Sequence, residues 1–389
     1  MKILIAHNAY QQHGGEDMVV DAEIALLRRH GHEVECYLRH NDELKAMPRL
    51  RAAAGTVWSL RSARDLSATL RRFAPDVIHV HNTFPLISPA LYWTAARHRV
   101  PVVQTLHNFR LLCPQAIFLR EGRICEDCLG KSPWRAVGRK CYRDSAAQTA
   151  VLTGMLCAHR AIGTYRARVT RYIALTRFAR DKYVQGGLPA DRFRIKPNFI
   201  DAGPRPPLQT RCGGLYVGRL SHEKGLEVLV AAAHLLPRPA LEIIGAGPLE
   251  PLVRAGFGPA WLGPRTLDEI LARMERARFL VLPSICHENA PRTIVEAYSR
   301  GLPIIASRLG ALADLIDDGR TGLLFEPGNP HDLAAKIAWA HSHPDDMARM
   351  GHAAREEYER HYTPQRNHEL LIDIYEDAIA DLQRQPCPA

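Results

Sequence analysis

Short apolar segments alternate with helical patterns along most of the chain, and this alternation limits the possible folds more than any other feature. Lys2–His7 has the pattern of a buried strand, a loop with Gly14-Gly15 follows, a helix is predicted over about 16–30, and Glu33–Leu38 resembles a second strand. This order of elements indicates a parallel sheet. Further strands are predicted at 76–80, 102–106, 172–175 and 193–196, with a helix at 177–185.

The alternation begins again after a Pro-rich stretch at residues 203–207, which we interpret as a linker. With 389 residues the chain is two to three times as long as a typical domain. We therefore predict two doubly wound α/β domains facing each other across a cleft, over 1–200 and 208–363. Residues 364–389 follow, with an amphipathic helix at about 364–382. The second group of predicted elements comprises strands at 214–217, 241–244, 279–282, 303–306 and 322–325, and helices at 226–236 and 292–300.

Composition and charge narrow the class of protein. Hydrophobic residues make up 46% of the chain, and no apolar run reaches the ~18 residues that span a bilayer. The opening residues lack a signal-peptide pattern, so a cytoplasmic location with mostly reduced cysteines is expected.

Charge is unevenly distributed along the sequence. Residues 1–200 carry 31 Lys and Arg against 16 Asp and Glu, whereas the remainder carries 20 Lys and Arg against 25 Asp and Glu. The first half is therefore expected either to meet an anionic partner or simply to carry solvated arginine-rich helices.

Two glutamates eight residues apart, Glu288 and Glu296, mark the first candidate site. Pro291 suits the first position of a helix, which places Glu288 in the preceding loop and Glu296 in the second turn of the helix. Free backbone N–H groups at a helix N-terminus attract phosphate, and a carboxylate can hold sugar hydroxyls. The pair therefore indicates a site for a ligand with phosphate and sugar, or else two unrelated glutamates on an exposed helix.

Two further loops follow predicted strands of the second group. Gly218-Arg219 to Lys224-Gly225 lies between a strand and a helix, so that its two cations favour a diphosphate; the alternative is a polar turn with solvated cations. The turn from Gly245 to Gly247 lets the backbone approach a nucleotide, although Pro248 and Leu249 occupy positions of a full dinucleotide motif.

In the first group, Gly14-Gly15 opens a helix and can approach a phosphate or sugar closely. His107 follows a strand on the side of the presumed cleft, where a purely structural role is the alternative.

Four cysteines form a separate pattern in the first half. Cys125 and Cys128 are flanked by Cys113 and Cys141, at 12 and 13 residues. This spacing fits one tetrahedral zinc site made of four thiolates, in a segment that is polar and poor in core residues. Reduced cysteines or a labile disulfide are the alternatives.

The whole set of motifs resembles the retaining glycosyltransferases of family 4. The resemblance is carried, in order along nearly the whole chain, by Gly14-Gly15-Glu16, Thr105-Leu-His107, Pro197-Asn198, Gly218-Arg219 with Glu223-Lys224-Gly225, Gly245-Ala-Gly-Pro248, and Glu288 with Glu296-Ala297 and Gly301-Leu-Pro303. It implies a GT-B fold of two Rossmann-like domains, with the acceptor site mainly in the first and the nucleotide-sugar site mainly in the second. The last helix is expected to cross back to the first domain.

The resemblance also implies roles for single residues. Arg219 and Lys224 would neutralise the donor diphosphate, Glu288 would hold hydroxyls of the transferred sugar, and Glu296 those of the ribose. His107 would lie over the donor sugar, and Gly14 and Gly15 would lie at donor phosphate or sugar. The remaining donor-binding residues are expected to be Gly218, Gly245, Gly247, Asn289, Ala290, Arg292 and Thr293.

One departure concerns Glu288-Asn289-Ala290-Pro291, where many members have Glu-Gly-Phe-Gly. Pro291 removes a backbone donor, so phosphate contacts there must come from the N–H groups of Arg292 and Thr293.

The chemistry that these residues imply needs no cofactor beyond a UDP- or GDP-sugar donor. Two cations and a helix N-terminus would stabilise the departing diphosphate, and no Asp-x-Asp motif is placed to hold catalytic magnesium.

The expected acceptor is a glycan or a polyprenyl-diphosphate-linked precursor of cell-surface polysaccharide, met at the inner face of the membrane. The alternatives are a 2-epimerase or phosphorylase on the same fold, or a basic zinc-containing protein that binds nucleic acid. The loop of the four cysteines lacks a recognition helix, which argues against nucleic acid as a partner.

Overall fold

The computed structural model describes residues 1–12, 14–203, 211–237 and 241–384. Its strands are β1 (Lys2–Ala9), β2 (Glu33–His40), β3 (Val77–Asn82), β4 (Val102–Leu106), β5 (Leu119–Arg120), β6 (Arg123–Ile124), β7 (Arg171–Ala174), β8 (Phe193–Ile195), β9 (Gly214–Val217), β10 (Leu241–Ile244), β11 (Trp261–Gly263), β12 (Phe279–Leu282), β13 (Ile304–Ser307) and β14 (Gly322–Phe325).

The helices are α1 (Gly15–Arg29), α2 (Arg49–Val57), α3 (Leu60–Phe73), α4 (Ala90–Arg97), α5 (Arg135–Gly138), α6 (Ala146–Ala161), α7 (Thr164–Ala167), α8 (Arg177–Gln185), α9 (Leu226–His234), α10 (Glu250–Phe257), α11 (Leu267–Arg276), α12 (Arg292–Ser299), α13 (Gly310–Leu315), α14 (Pro330–Ser342), α15 (Pro344–His361) and α16 (Pro364–Arg384). Short 3-10 helices lie at Asn41–Ala46, Ala190–Arg192, His222–Lys224 and Gly258–Ala260.

The chain forms two compact units, and each contains one parallel sheet. Unit 1 consists of Met1–Ala116, Glu126–Lys196 and the chain from Asn367 onwards, and unit 2 consists of Ile117–Cys125 and Pro197–Arg366. The prediction of two doubly wound α/β domains is confirmed. The predicted linker falls mostly on residues outside the described ones, and the exact domain boundaries remain a prediction.

The sheet of unit 1 has the order β2-β1-β3-β4-β7-β8, with all neighbours parallel. The strands β3 and β4 are buried along their whole length, as central strands covered on both faces must be. One core cluster joins Ile3 and Ile5 of β1 to Leu371 and Tyr375 of α16. The amphipathic helix predicted at 364–382 therefore exists, and its apolar face completes the core of unit 1.

The sheet of unit 2 has the order β11-β10-β9-β12-β13-β14, again with all neighbours parallel. In chain order this is 3-2-1-4-5-6, so the direction of winding reverses between β9 and β12. Ligands of doubly wound sheets bind outside the carboxyl ends of the strands at such a reversal. The loops after β9 and β12 are therefore the first place to look for a site.

No helix in the described part of the chain combines the length and the apolarity that a membrane span requires.

Candidate active site

The backbone brings three loops of unit 2 together at the reversal point of its sheet. The loop after β9 meets the turn after β10 through a hydrogen bond from the Leu220 N–H to the Ala246 carbonyl oxygen, 3.0 Å long. It meets the loop after β12 through a bond from the Ile285 N–H to the Glu223 carbonyl oxygen, 3.1 Å long. The three motifs that the sequence placed at separate strand ends thus form one continuous surface.

Two glycines permit this close packing. Gly225 has a φ of +71°, and a Cβ there would lie 1.9 Å from the carbonyl oxygen of Pro283. Gly245 has a φ of +143°, and its Cβ would lie 1.9 Å from the carbonyl oxygen of Gly218. Both clashes are with backbone, which cannot rotate away, so these positions require glycine.

We expect Gly225→Ala to destabilise unit 2 strongly. An alanine at positive φ costs about 1–2 kcal/mol, and the overlap with Pro283 adds roughly 1–3 kcal/mol. Gly328→Ala is the matched control, because Gly328 also has a positive φ, +77°, but has no atom within 4 Å of a Cβ. Urea unfolding of both variants measures the difference. Equal loss of stability in the two variants would show that the contact between the loops is unimportant.

Lys224 and Glu288 form an ion pair at the centre of the three loops. The Nζ atom of Lys224 lies 2.6 Å from Oε1 of Glu288, and the Ser284 hydroxyl donates to the same oxygen over 2.7 Å. The Lys224 side chain remains 30% exposed and that of Glu288 12% exposed. Burial alone would lower the pKa of Lys224, but the Glu288 carboxylate outweighs it and the pKa is raised. Lys224 is therefore a fixed positive charge that an anionic ligand can reach.

Arg219 supplies a second cation at the other end of the loop. Its side chain is exposed, and no carboxylate of the described residues lies within ion-pair distance. The Arg219 carbonyl oxygen accepts a hydrogen bond from the Tyr216 hydroxyl, 2.9 Å long, which holds the backbone of the loop at this residue. Both predicted cations therefore lie on the loop after β9, and they share no carboxylate partner among the residues that the structure describes.

Glu296 lies in a different environment from Glu288. It is buried on α12, and its Oε1 atom lies 3.4 Å from the guanidinium of Arg292 one turn earlier. Burial raises the pKa of Glu296, and Arg292 opposes the rise. Each of the two predicted carboxylates thus has its own cation, which suits two separate polar contacts better than a shared acid–base reaction.

The start of α12 differs slightly from the prediction. Pro291 is the N-cap with extended backbone and not the first helical residue, and the helix begins at Arg292, as in the predicted range 292–300. The N–H groups of Arg292 and Thr293 are thus at the first two helical positions, where they lack partners inside the helix. Asn289 is buried, and the Ala290 carbonyl oxygen accepts a bond from the Asn198 side chain, 3.3 Å long.

Unit 1 presents its own polar groups at the carboxyl ends of β1 and β4. Gly14 is the N-cap of α1, Gly15 is its first residue, and His107 follows β4. Sequence reasoning gave no role to Glu16, which accepts a hydrogen bond from the Tyr10 hydroxyl over 3.0 Å. Burial raises the pKa of Glu16 to about 7, with Tyr10 and Arg110 opposing the rise. Glu16 is therefore a titratable carboxyl beside a strand end, and the neighbouring Gly14-Gly15 was the signal that could have drawn attention to it.

The cysteines of the predicted zinc site lie between β4 and α6. Cys113 and Cys128 are buried, whereas Cys125 and Cys141 are half-buried. The expectation that this segment is poor in core residues is wrong, because Phe118, Leu119 and Leu129 are buried within it.

Zinc binding remains a prediction that metal analysis can test. We expect about one zinc ion per chain, because a tetrahedral thiolate site holds a single ion. Cys128→Ser should lose the ion, and Cys212→Ser, which alters an exposed cysteine outside the pattern, should keep it. Well under one zinc ion per purified wild-type chain would end this hypothesis.

Comparison with known proteins agrees with this arrangement. The sequence profile of Glycosyltransferase Family 4 matches residues 13–203, and that of Glycosyl transferases group 1 matches residues 212–343. The sulfoquinovosyl transferase SQD2 of Arabidopsis thaliana is 29% identical over 311 residues, which is 78% of this chain and 57% of SQD2. The amylovoran biosynthesis glycosyltransferase AmsK of Erwinia amylovora is 26% identical over 225 residues, 52% of this chain and 55% of AmsK.

Solved structures show the same fold. The crystal structure of Anabaena Alr3699/HepE in complex with UDP superposes with a TM-score of 0.67 and 16% identity, over 97% of this chain and 100% of that one.

The chain spans less than two thirds of the length of the curated relatives SQD2 and AmsK. The two profiles together cover most of the chain, and both sheets have the architecture of the GT-B neighbours. The chain therefore belongs to glycosyltransferase family 4, a family of transferase enzymes with the GT-B fold.

Proposed function

We propose that this protein transfers a hexosyl-type sugar from a nucleoside-diphosphate donor to a hydroxyl group of a glycan or lipid-linked acceptor, with retention of anomeric configuration. The observation that carries the proposal is the junction of three loops at the reversal point of unit 2. Lys224, Arg219 and the N-terminus of α12 all lie on or beside that junction. An anion with two phosphates matches such a set of positive groups.

The donor diphosphate takes its place beside Lys224 and Arg219. When the bond between the sugar and the phosphate breaks, the sugar acquires oxocarbenium character and negative charge grows on the diphosphate. The two cations stabilise this charge where it develops, and they are already held by the loop, so little reorganisation is needed. The acceptor hydroxyl oxygen forms the new bond to the anomeric carbon on the face from which the diphosphate departs, and the leaving phosphate accepts the proton of that hydroxyl.

The two glutamates bind hydroxyls at the two ends of the donor. Glu288 is partly exposed and is held by Lys224 and Ser284, so its second oxygen can accept hydrogen bonds from the sugar. Glu296 is more deeply buried on α12, and it accepts hydrogen bonds from the ribose. Backbone groups of Gly218, Gly245 and Gly247 approach the nucleotide, while Asn289, Ala290, Arg292 and Thr293 line the end of the helix.

Unit 1 binds the acceptor in this proposal, and His107, which follows β4, contacts the transferred sugar of the donor. Its excess of Lys and Arg suits an acceptor that carries diphosphate or an anionic membrane surface nearby. AmsK is named for the biosynthesis of amylovoran and SQD2 for the transfer of sulfoquinovose, which supports a role in making polysaccharide or glycolipid. HepE was crystallised with UDP, which supports a UDP-sugar as donor.

A panel of UDP- and GDP-sugars, each incubated with candidate acceptors, tests the proposal. We expect one donor to give an acceptor-dependent glycosylated product and free nucleoside diphosphate, with the anomeric configuration of the donor. A sugar epimerised in the absence of any acceptor would instead identify an epimerase. Absence of turnover with every donor and acceptor class, in protein that is folded, would count against transfer.

A further inference from the structure

A chain of polar side chains lies inside unit 1, behind His107. Glu23 of α1 and His81 of β3 have side chains that are 1% and 0% exposed. Oε2 of Glu23 lies 3.5 Å from Nε2 of His81, and Nδ1 of His81 lies 2.9 Å from Nε2 of His107. The rings of His81 and His107 are nearly parallel, with centroids 5.2 Å apart. A buried carboxylate is thus connected to His107 through one other imidazole.

The donor set argues against a metal ion at this place. The ligand atoms of Glu23, His79 and His81 lie within 4.8 Å of one another, which would suit a cation. However, the ammonium group of Lys196 already lies 2.5 Å from Oε1 of Glu23. Both ring nitrogens of His79 are also engaged, with Thr105 and with Tyr375, each at 2.8 Å. Lys196 therefore already balances the charge of Glu23, and a second cation would be repelled.

The imidazoles of His81 and His107 are both neutral near pH 7. Burial lowers the pKa of His81 and of His107 well below the usual value, and neighbouring histidines and Lys196 add to the effect. A neutral imidazole carries its single proton on one of two nitrogens, and the partner of one nitrogen decides the state of the other. The buried carboxylate of Glu23 therefore decides which nitrogens of His81 and His107 donate and which accept.

Glu23 sets that pattern of donors and acceptors. Lys196 donates to Oε1, which favours the ionised carboxylate. Within the described residues, neither Oε2 of Glu23 nor Nε2 of His81 has a hydrogen-bond partner, and the two atoms face each other at 3.5 Å. A proton on Nε2 of His81 faces this anion favourably, whereas a lone pair there would face another lone pair. Nδ1 of His81 is then an acceptor, so Nε2 of His107 must donate to it.

We propose that Glu23 and His81 are positioning residues that hold His107 as the Nε2–H tautomer, so that its Nδ1 atom accepts a hydrogen bond from a hydroxyl group of a bound sugar. His107 is half-buried, and no hydrogen bond within the described part of the chain uses its Nδ1 atom. The opposite tautomer would present a donor in the same place and favour a different hydroxyl geometry. The identity of the ligand rests on the proposed function, whereas the tautomer does not.

The state of His107 can be read directly from the ring nitrogens. In protein labelled with 15N-histidine, long-range proton–nitrogen spectra distinguish the two tautomers, and His107→Gln assigns the signal. We expect the Nε2–H tautomer in the wild type and a shift towards Nδ1–H in Glu23→Gln, because the new amide can donate to His81. Glu227→Gln is the matched control, because it alters a carboxylate beside the exposed His222, 2.9 Å away, in unit 2. A wild-type signal from Nδ1–H, or an unchanged signal in Glu23→Gln, overturns the proposal.

A second pair of variants covers the case in which Glu23→Gln does not fold, since that change removes the carboxylate from Lys196. A glutamine at position 81 can still accept from His107, but a leucine cannot. We therefore expect His81→Gln to keep the Nε2–H signal and His81→Leu to lose it. The same signal in both variants contradicts the positioning role.

Activity separates this inference from the proposed function. Glu23→Gln should lower the rate of sugar transfer about 10- to 100-fold, as loss of an outer partner that orients an imidazole does, while calorimetric binding of the nucleoside diphosphate alone stays unchanged. A tautomer change in an enzyme that transfers no sugar would overturn the function and leave the positioning intact. Transfer by the wild type with no tautomer change in the variants would overturn the positioning role and leave the proposed function intact.

Discussion

Replacement of Lys224 by alanine is expected to lower the rate of sugar transfer by ~10²-fold or more. The ammonium group is held beside Glu288. In the proposed mechanism it stabilises negative charge on the leaving diphosphate, and loss of one such preorganised donor has effects of this size. Arg219→Ala should have a loss of similar size, although Arg219 has no carboxylate partner of its own among the described residues. Steady-state assays with saturating donor measure both.

The control for this pair is Lys336→Ala, which removes a lysine from α14 of the same unit. That variant should retain near-full activity, because Lys336 lies on none of the three loops. Near-full turnover in both Lys224→Ala and Arg219→Ala would remove the two cations from the mechanism. A loss in Lys224→Ala alone would limit the role to the cation paired with Glu288.

Replacement of Lys196 by methionine is expected to destabilise unit 1 by about 3–5 kcal/mol, because it leaves the carboxylate of Glu23 buried and without its cation. The two side chains are 0% and 1% exposed, so water cannot replace the lost partner. Denaturant unfolding followed by a probe in unit 1 measures the loss.

Two further variants make the result specific. Lys182→Met breaks a partly exposed pair with Glu126, whose side chains are 18% and 31% exposed, and should cost no more than ~1 kcal/mol. Combining Lys196→Met with Glu23→Gln removes both charges and should be less destabilising than Lys196→Met alone. A double variant that is worse than the single one would contradict an ion-pair origin of the effect.

The strands and their loops were predictable from sequence because each core strand is a short apolar run with a turn at its carboxyl end. The strands at 102–106, 214–217, 241–244, 279–282 and 322–325 occur at the predicted positions. Pattern alone could not give the order of strands, and therefore could not show that β9 and β12 are neighbours at the reversal point. That contact depends on Gly225, whose role follows only from the position of Pro283 in space.

Buried polar residues were the main omission. The predicted strand at 76–80 included His79 and ended before His81, yet their spacing of two places both on one face of β3. A His-x-His pair in a buried strand was the available signal for the chain that ends at His107. The partners Glu23 and Lys196 are 173 residues apart in sequence, so only the tertiary fold could join them. The ion pair of Lys224 with Glu288 was missed for the same reason, although both residues were correctly assigned to strand-end loops.

Hydrogen–deuterium exchange with and without UDP or GDP shows whether the three loops of unit 2 bind a nucleoside diphosphate. We expect the nucleoside diphosphate of the true donor to protect three segments of unit 2, at residues 218–225, 245–250 and 284–296. The matching monophosphate should protect 218–225 less, because it lacks the second phosphate that Lys224 and Arg219 are proposed to bind. Protection confined to other segments, or equal protection of 218–225 by the monophosphate, would contradict a diphosphate site at these three loops.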